Sequence, residues 1–276
     1  MKCGFCYVAD TAGYLDEAMH SIASLRVHMG DVPVAVVTPR TLFRSERFVT
    51  DWIELRQSRN GPIIKTNSCL APYDRVIFLD TDTYVSGDLT DVFKVLDAFD
   101  IAVVHDVTRV RDYGRHGIPQ AFYDYNTGFI AFRNNDAMRD FFDCWEEEYD
   151  LLLDQYGVKN DQPAFRVALW RTHQVRHATL SSEHNFIGCV AGSVEGTVRL
   201  VYDRSDSLQR LASTLNHELG PRAFAPGWGT IFGFRGRRDW IHQYLRLTKN
   251  FLRVLVNPSS VKQNEGPVKW WQEDID

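Results

Sequence analysis

The feature that most constrains this chain is an alternation at its start: a short apolar run at 3–9, a segment of helical period at 14–29, and a second apolar run at 34–37. Within the middle segment Leu15, Ala18, Met19, Ile22 and Leu25 recur at helical spacing, and Gly30 with Pro33 stops the helix. Strand, helix, strand is the unit of a parallel sheet, which buries both faces and therefore needs helices on each side. Further strands are expected at 75–79, 101–104, 128–132 and 198–202, and helices at 91–99, 159–170 and 206–216. The clearest helical pattern runs over 134–153, where Met138, Phe141, Phe142, Trp145, Tyr149 and Leu152 share one face behind Asn135 or Asp136 as a start signal. Those aromatics read as core. A Gly-rich, aromatic loop is expected over 225–236.

The chain has 276 residues, 44% of them hydrophobic, enough for one large α/β domain. Its 31 Lys and Arg against 36 Asp and Glu give a net charge of −5, which excludes a protein that works by coating nucleic-acid backbone. The five cysteines, Cys3, Cys6, Cys69, Cys144 and Cys189, are expected to be buried reduced thiols, since no second pair or nearby histidine completes a zinc site around Cys3 and Cys6. No apolar run approaches the length of a membrane span or a signal peptide, so a cytoplasmic protein is expected. One domain over 1–230 is expected, followed by a C-terminal appendage over 231–276.

The chemistry concentrates at the end of the 75–79 strand, where Asp80-Thr81-Asp82-Thr83 follows Arg75-Val76-Ile77-Phe78-Leu79. Open α/β sheets bind ligands at that edge, and period-two alternation would turn Asp80 and Asp82 into the same crevice. Paired carboxylates there suit a hard divalent ion that keeps positions for diphosphate oxygens. The structural alternative is that one Asp caps the following turn while the other is solvated. A second D-x-D, Asp274 and Asp276, lies in the terminal tail and shows that the motif alone is weak.

Several blocks in order lift it. They are Val8-Ala9-Asp10 with Tyr14, Ala71-Pro72-Tyr73-Asp74-Arg75 leading into Asp80-Thr81-Asp82, Gly87-Asp88-Leu89, Tyr125-Asn126-Thr127-Gly128-Phe129, and Asn160-Asp161-Gln162-Pro163. In this order they resemble the metal-dependent GT-A glycosyltransferases, specifically the family 8-like and nucleotide-diphospho-sugar transferase groups, over roughly 3–225. The resemblance implies a Rossmann-like, mixed but mostly parallel sheet flanked by helices. It also implies transfer of a sugar from a nucleotide-diphosphate donor to a hydroxyl acceptor, a glycan or lipid-linked glycan, with retention at the anomeric centre and Mn2+ or Mg2+ as the ion.

Carried onto this sequence, the resemblance gives Asp80 and Asp82 to the metal, Asp80 and Thr81 to the donor nucleotide as well, and Ala9, Asp10 and Tyr14 to the nucleoside. Lys65 would reach the nucleotide or donor sugar, and Asn126 and Gly128 would border the sugar. Asp161 and Gln162 would face it, with Asn185 lining the acceptor side. Tyr14 read as core, Lys65 as a solvated loop residue, and Asn160 or Asp161 as a plain helix cap are the structural alternatives. Where related enzymes carry a third metal ligand as a histidine closing the late strand, this chain has Tyr202 and Asp203. Asp203 is ranked first as its replacement and His217 second, and no third ligand follows closely.

Two other readings compete. A haloacid dehalogenase-like phosphatase would need Thr where Tyr84 stands and a downstream Asp-Asp pair, which the chain lacks. A non-catalytic nucleotide-sugar or glycan-binding module survives through the missing histidine. Finally, residues 235–256 hold six basic residues against Asp239, a local charge of +5 on an otherwise acidic chain. Trp240, Ile241, Tyr244, Leu245, Phe251, Leu252 and Leu255 would form one apolar face, so peripheral contact with an anionic membrane surface is expected beside the alternative that this face closes the sheet edge.

Overall fold

The computed structural model describes residues 1–56, 61–107, 115–203, 207–217, 219–226, 229–232 and, beyond these, 244–245, 248–249, 251–252 and 256. The chain opens with β1 (Cys3–Val8), α1 (Ala12–Met29) and β2 (Val34–Thr38), as the alternation predicts. Thr11 caps α1 by accepting from the Tyr14 N–H, and Gly30 ends it at φ +62°, a conformation that costs glycine little. Then come β3 (Asp51–Glu54), a helical turn over Pro62–Leu70, β4 (Arg75–Leu79) and β5 (Thr83–Val85). The helix expected over 91–99 shortens to α2 (Val92–Val95), because the segment closes as successive tight turns rather than continuing.

The second half brings β6 (Ile101–His105), β7 (Tyr125–Arg133), α3 (Asp136–Tyr156), α4 (Gln162–Arg171) and β8 (His177–Leu180). Asn135 caps α3 through the Met138 N–H, the start signal named in sequence. Short strands β9 (Phe186–Ile187), β10 (Gly192–Val194) and β11 (Leu200–Tyr202) precede α5 (Leu208–Leu215). The stretch expected to be a loop from 225 is instead partly a hairpin, β12 (Arg222–Ala225) with β13 (Gly229–Phe232). Gly229, at φ +79°, begins its second strand.

Seven strands form the central sheet in the order β3-β2-β1-β4-β7-β6-β8. All neighbours are parallel except β7, which runs antiparallel to β4 and β6. Alternate side chains sort the core onto two faces. Cys6, Val8, Val76, Phe78, Val103 and Ile130 meet the aromatics of α3 and α4, including Phe141, Trp145 and Phe165, all buried. Phe5, Tyr7, Ile77, Leu79 and Val104 meet Leu15, Ile22 and Leu25 of α1. This is a helix–sheet–helix sandwich, and the α3 aromatics are core as read from sequence. The cysteine expectation is corrected in part: all five thiols are free, but only Cys6 and Cys144 are buried and Cys189 is exposed, because it lies on the loop after β9. Of the C-terminal face, Trp240, Ile241 and Leu255 lie outside the described residues, as do Arg235, Arg237, Arg238, Arg246 and Arg253.

Gly4 in β1 shows how tightly the sheet is covered. A Cβ there would lie 2.3 Å from a ring carbon of Tyr73, whose hydroxyl is fixed by donating to Asp51 at 2.8 Å. Gly4→Ala should therefore destabilise the protein by about 1–3 kcal/mol, read as a lower urea midpoint with unchanged slope.

Candidate functional site

The reversed direction of β7 gathers the site. β1, β4 and β6 end at Val8, Leu79 and His105, and antiparallel β7 begins at Tyr125, so Asp10, Asp80, Asp106 and Asn126 arrive at one sheet edge. The head of α4 joins them there through Asp161 and Gln162. Trp145 on α3 donates its indole N–H to the Asp161 carbonyl at 3.0 Å, which ties this helix start to the core.

Lys65 is the hub. It is buried, on the helical turn before β4, and so is not the solvated loop residue of the alternative reading. Its Nζ lies 3.3 Å from Asp80, 3.4 Å from Asp161, 3.3 Å from the Thr127 carbonyl and 3.2 Å from the Thr127 hydroxyl. Burial by itself would push the ammonium's pKa down, but the carboxylates of Asp161 and Asp80 outweigh it and hold the group above the usual lysine range. Asp161 makes no side-chain cap hydrogen bond; the Asn160 side chain accepts from the Gln162 N–H instead. Capping therefore falls to Asn160, and Asp161 is turned inward to the lysine.

A second layer lies behind. Asp106, buried at the end of β6, accepts from the amides of Asn126 at 3.2 Å and Gln162 at 2.8 Å. Asn126 in turn accepts from Asn185 at 2.7 Å and from the Gly128 N–H at 2.9 Å. Gly128 is required: a Cβ would sit 3.0 Å from Asn126 Oδ1 and 3.1 Å from Asp80 Oδ2. The β6–β7 register also shifts between Val103 and Val104, an irregularity in the ladder beside this glycine. Gln162 Oε1 and Asn185 Oδ1 are buried acceptors without a hydrogen-bond donor, and Asp10 Oδ1 is a third, whereas Asp161 Oδ2 is answered by the Lys65 ammonium. Buried acceptors left this way are costly, so each calls for a donor from a ligand or water.

Asp80 and Asp82 do not follow the alternation expected of them, because the strand ends at Leu79. Thr81 and Asp82 form a turn, closed by the Thr83 hydroxyl donating to the Asp80 carbonyl at 2.8 Å, and the chain then enters β5. Ala9 is buried at the end of β1 and its N–H donates to the Val37 carbonyl at 3.0 Å. Tyr14, on the first turn of α1, is 40% exposed, which removes the core reading of that residue. Asp203 follows β11, with Oδ2 beside Gly188. His217 is exposed beyond α5. Among the described residues no three His, Cys, Asp or Glu side chains form a group that could hold a metal.

Sequence reasoning missed Asp106 and Thr127. The signal for Asp106 was available, since it is a carboxylate immediately after an apolar strand, the same position that marked Asp80.

Residues 74–197, a little under half the chain, match the family described as nucleotide-diphospho-sugar transferase. That span holds Asp80, Asp82, Asn126, Asp161, Gln162 and Asn185. No curated protein matches significantly by sequence. Among solved structures the chain is similar to an active-site mutant of LgtC, at 16% identity and TM-score 0.52 over 78% of this chain and 95% of that one. It is similar to apo mouse xyloside xylosyltransferase 1 at 14% identity and TM-score 0.51, over 75% of this chain and 99% of that one. The glycosyltransferase GlyE of Streptococcus pneumoniae TIGR4 is 18% identical at TM-score 0.47; this chain spans 48% of it and the match covers 68% of this chain. The fold is that of the GT-A glycosyltransferases.

Removing the hub tests the electrostatic account. Lys65→Met should cost about 3–5 kcal/mol in urea unfolding, because it strands carboxylates around a buried position. The sign in pH follows from the raised folded pKa. In the unmodified protein the Lys65 contribution is complete below the unfolded lysine value near ~10.4 and fades as pH rises through the folded value, a decline that Lys65→Met should not show.

Proposed function

We propose, from the placement of this chain with the nucleotide-diphospho-sugar glycosyltransferases, that it transfers a sugar from such a donor to a hydroxyl of a glycan or lipid-linked acceptor, with a divalent ion and with retention. The observation that carries the donor reading is the pair of buried amide acceptors, Gln162 Oε1 and Asn185 Oδ1, beside the Lys65–Asp161 ion pair. A sugar presents many hydroxyl donors, which this arrangement needs.

Charge supports the ion. Lys65 is one cation shared between Asp80 and Asp161, and Asp82 lies two residues on, so a diphosphate approaching this carboxylate-rich edge would be repelled unless a divalent ion accompanied it. Two carboxylates fit Mn2+ or Mg2+, which commonly take one or two protein ligands and complete their shell with phosphate oxygens and water. Bound there, the ion would neutralise charge on the departing diphosphate. Asp203 is kept as the candidate third ligand, with His217 behind it. The chain's own residues orient the donor: Asn126, Asp161 and Gln162 hold the sugar, Gly128 lets the backbone approach, and Ala9, Asp10 and Tyr14 border the nucleoside, where the exposed ring of Tyr14 can stack on a base. The N-terminus of α1 beside them favours the donor's anionic portion.

Asp82→Asn removes charge at constant size. Turnover of a nucleotide-sugar panel should fall at least ~100-fold and chelator should abolish it in the unmodified protein. Full activity in chelator would refute the ion, and binding without any turnover would favour the glycan-binding reading.

Peripheral membrane contact belongs to the same proposal. No helix among the described residues is long and apolar enough to cross a membrane, while Tyr244, Leu245, Phe251 and Leu252 are more than half exposed. With +5 over 235–256, the protein should co-sediment with anionic but not neutral vesicles, and less so as salt rises.

A further inference from the structure

One face of α1 is hydrogen-bonded along the turn that carries the two aspartates. Glu17, Ser21 and Ser24 stand at i, i+4 and i+7, hence on one side of the helix. Their partners are Thr81, Thr83 and Val85, spaced two apart. The Thr81 hydroxyl donates to Glu17 at 2.9 Å, Ser21 and Thr83 hydroxyls lie 2.8 Å apart, and the Val85 N–H donates to Ser24 at 2.9 Å.

The middle contact belongs to a longer chain whose direction can be assigned. Thr83 gives its one hydroxyl proton to the Asp80 carbonyl. Ser21 must then donate to Thr83, and Tyr7, 3.0 Å from Ser21, must donate to Ser21. Burial, first of all, pushes the Tyr7 phenol above its ordinary range and keeps that proton in place. Tyr7, Ser21 and Thr83 are all buried, where hydroxyls are retained at a cost unless every one is bonded. The chain ends on Asp80, whose N–H donates to the Gly128 carbonyl at 2.9 Å and whose carboxylate meets Lys65. Asp80 is thus held at its N–H, its carbonyl and its side chain.

We propose that Tyr7, Ser21 and Thr83, with Glu17 alongside, are positioning residues that fix the Asp80–Asp82 turn for the diphosphate, so that α1 sets donor affinity from behind the sheet edge. This rests on the reading of Asp80 and Asp82 given above. Asp82 follows Thr81, which Glu17 holds, and precedes Thr83, which Ser21 holds, so its place is fixed from both sides.

Thr83→Val keeps shape and removes the hydroxyl; Thr83→Ser keeps the hydroxyl. Two readouts are needed: amide hydrogen exchange over 80–85, and calorimetric titration of the full chain with manganese and uridine or guanosine diphosphate. Thr83→Val should speed exchange in 80–85 and weaken diphosphate binding, each about tenfold, the equilibrium equivalent of one buried hydrogen bond, while exchange in β1 and β4 stays as in the unmodified protein. Thr83→Ser should restore both, and Ser21→Ala should reproduce the Val result. Equal behaviour of Thr83→Val and the unmodified protein would overturn the proposal. So would a Thr83→Ser variant as impaired as Thr83→Val, or an exchange increase spread over the whole sheet, since either would assign the residue to packing. If the unmodified protein binds neither diphosphate, the functional reading fails, and exchange over 80–85 alone then decides whether the hydroxyl chain fixes the turn.

Discussion

A charged amine inside the protein is the constraint around which this site is organised. Lys65 can stay ionised there only with anionic partners within reach, and it draws them from separate parts of the chain: Asp80 from the end of β4 and Asp161 from the head of α4. The Thr127 carbonyl and hydroxyl from β7 complete its surroundings. Moving either carboxylate away would leave the buried ammonium with a single charged partner. The layers on the two sides of the crevice are consequently registered against each other by electrostatics as well as by the aromatic core beneath.

The surplus of acid over base has a chemical consequence. Asp106 uses the amide donors of Asn126 and Gln162, so the outward-facing atoms of that layer are acceptors. A site of this kind discriminates by hydrogen-bond polarity. Hydroxyl-rich ligands gain partners in it, whereas a bare anion is repelled until positive charge accompanies it. On the function proposed above, an acceptor-lined sugar side and an acidic diphosphate side would both come from this one imbalance of charge.

Much of this was legible in sequence where local periodicity and sheet-edge position coincide. The first three elements, β4 and the α3 core face follow from spacing, the structure selects Asn135 of the two start signals, and Ala9, Asp10, Asp80, Asn126, Asp161 and Gln162 fall at the sheet edge or the head of α4. What was not legible depended on long-range closure. The 91–99 segment has helical composition but closes into turns after α2, and the 225–236 stretch pairs as a hairpin through contacts no local pattern announces. Strand alternation, from which Asp80 and Asp82 were expected to share a crevice, does not extend to them, because β4 ends at Leu79 and the chain turns at Thr81 and Asp82. The inward orientation of Asp161 could not be read either, since Asn160 and Asp161 are equally good caps until Lys65 is placed.

The direction of β7 joins these strands of reasoning. Were β7 parallel to its neighbours, its Arg133 end would meet the crevice and Asn126 would lie at the opposite edge of the sheet. Running antiparallel, it delivers its first residues, and the register shift opposite Val104 lets Asn126, Thr127 and Gly128 approach β4 closely. That approach leaves no room for a side chain at 128, because a Cβ would press on Asp80 Oδ2 and Asn126 Oδ1 together. Any group there would push Asp80 from Lys65 and Asn126 from its own turn at once. The glycine, the reversed strand and the buried ion pair are therefore a single constraint, in which backbone spacing decides whether the charges can meet.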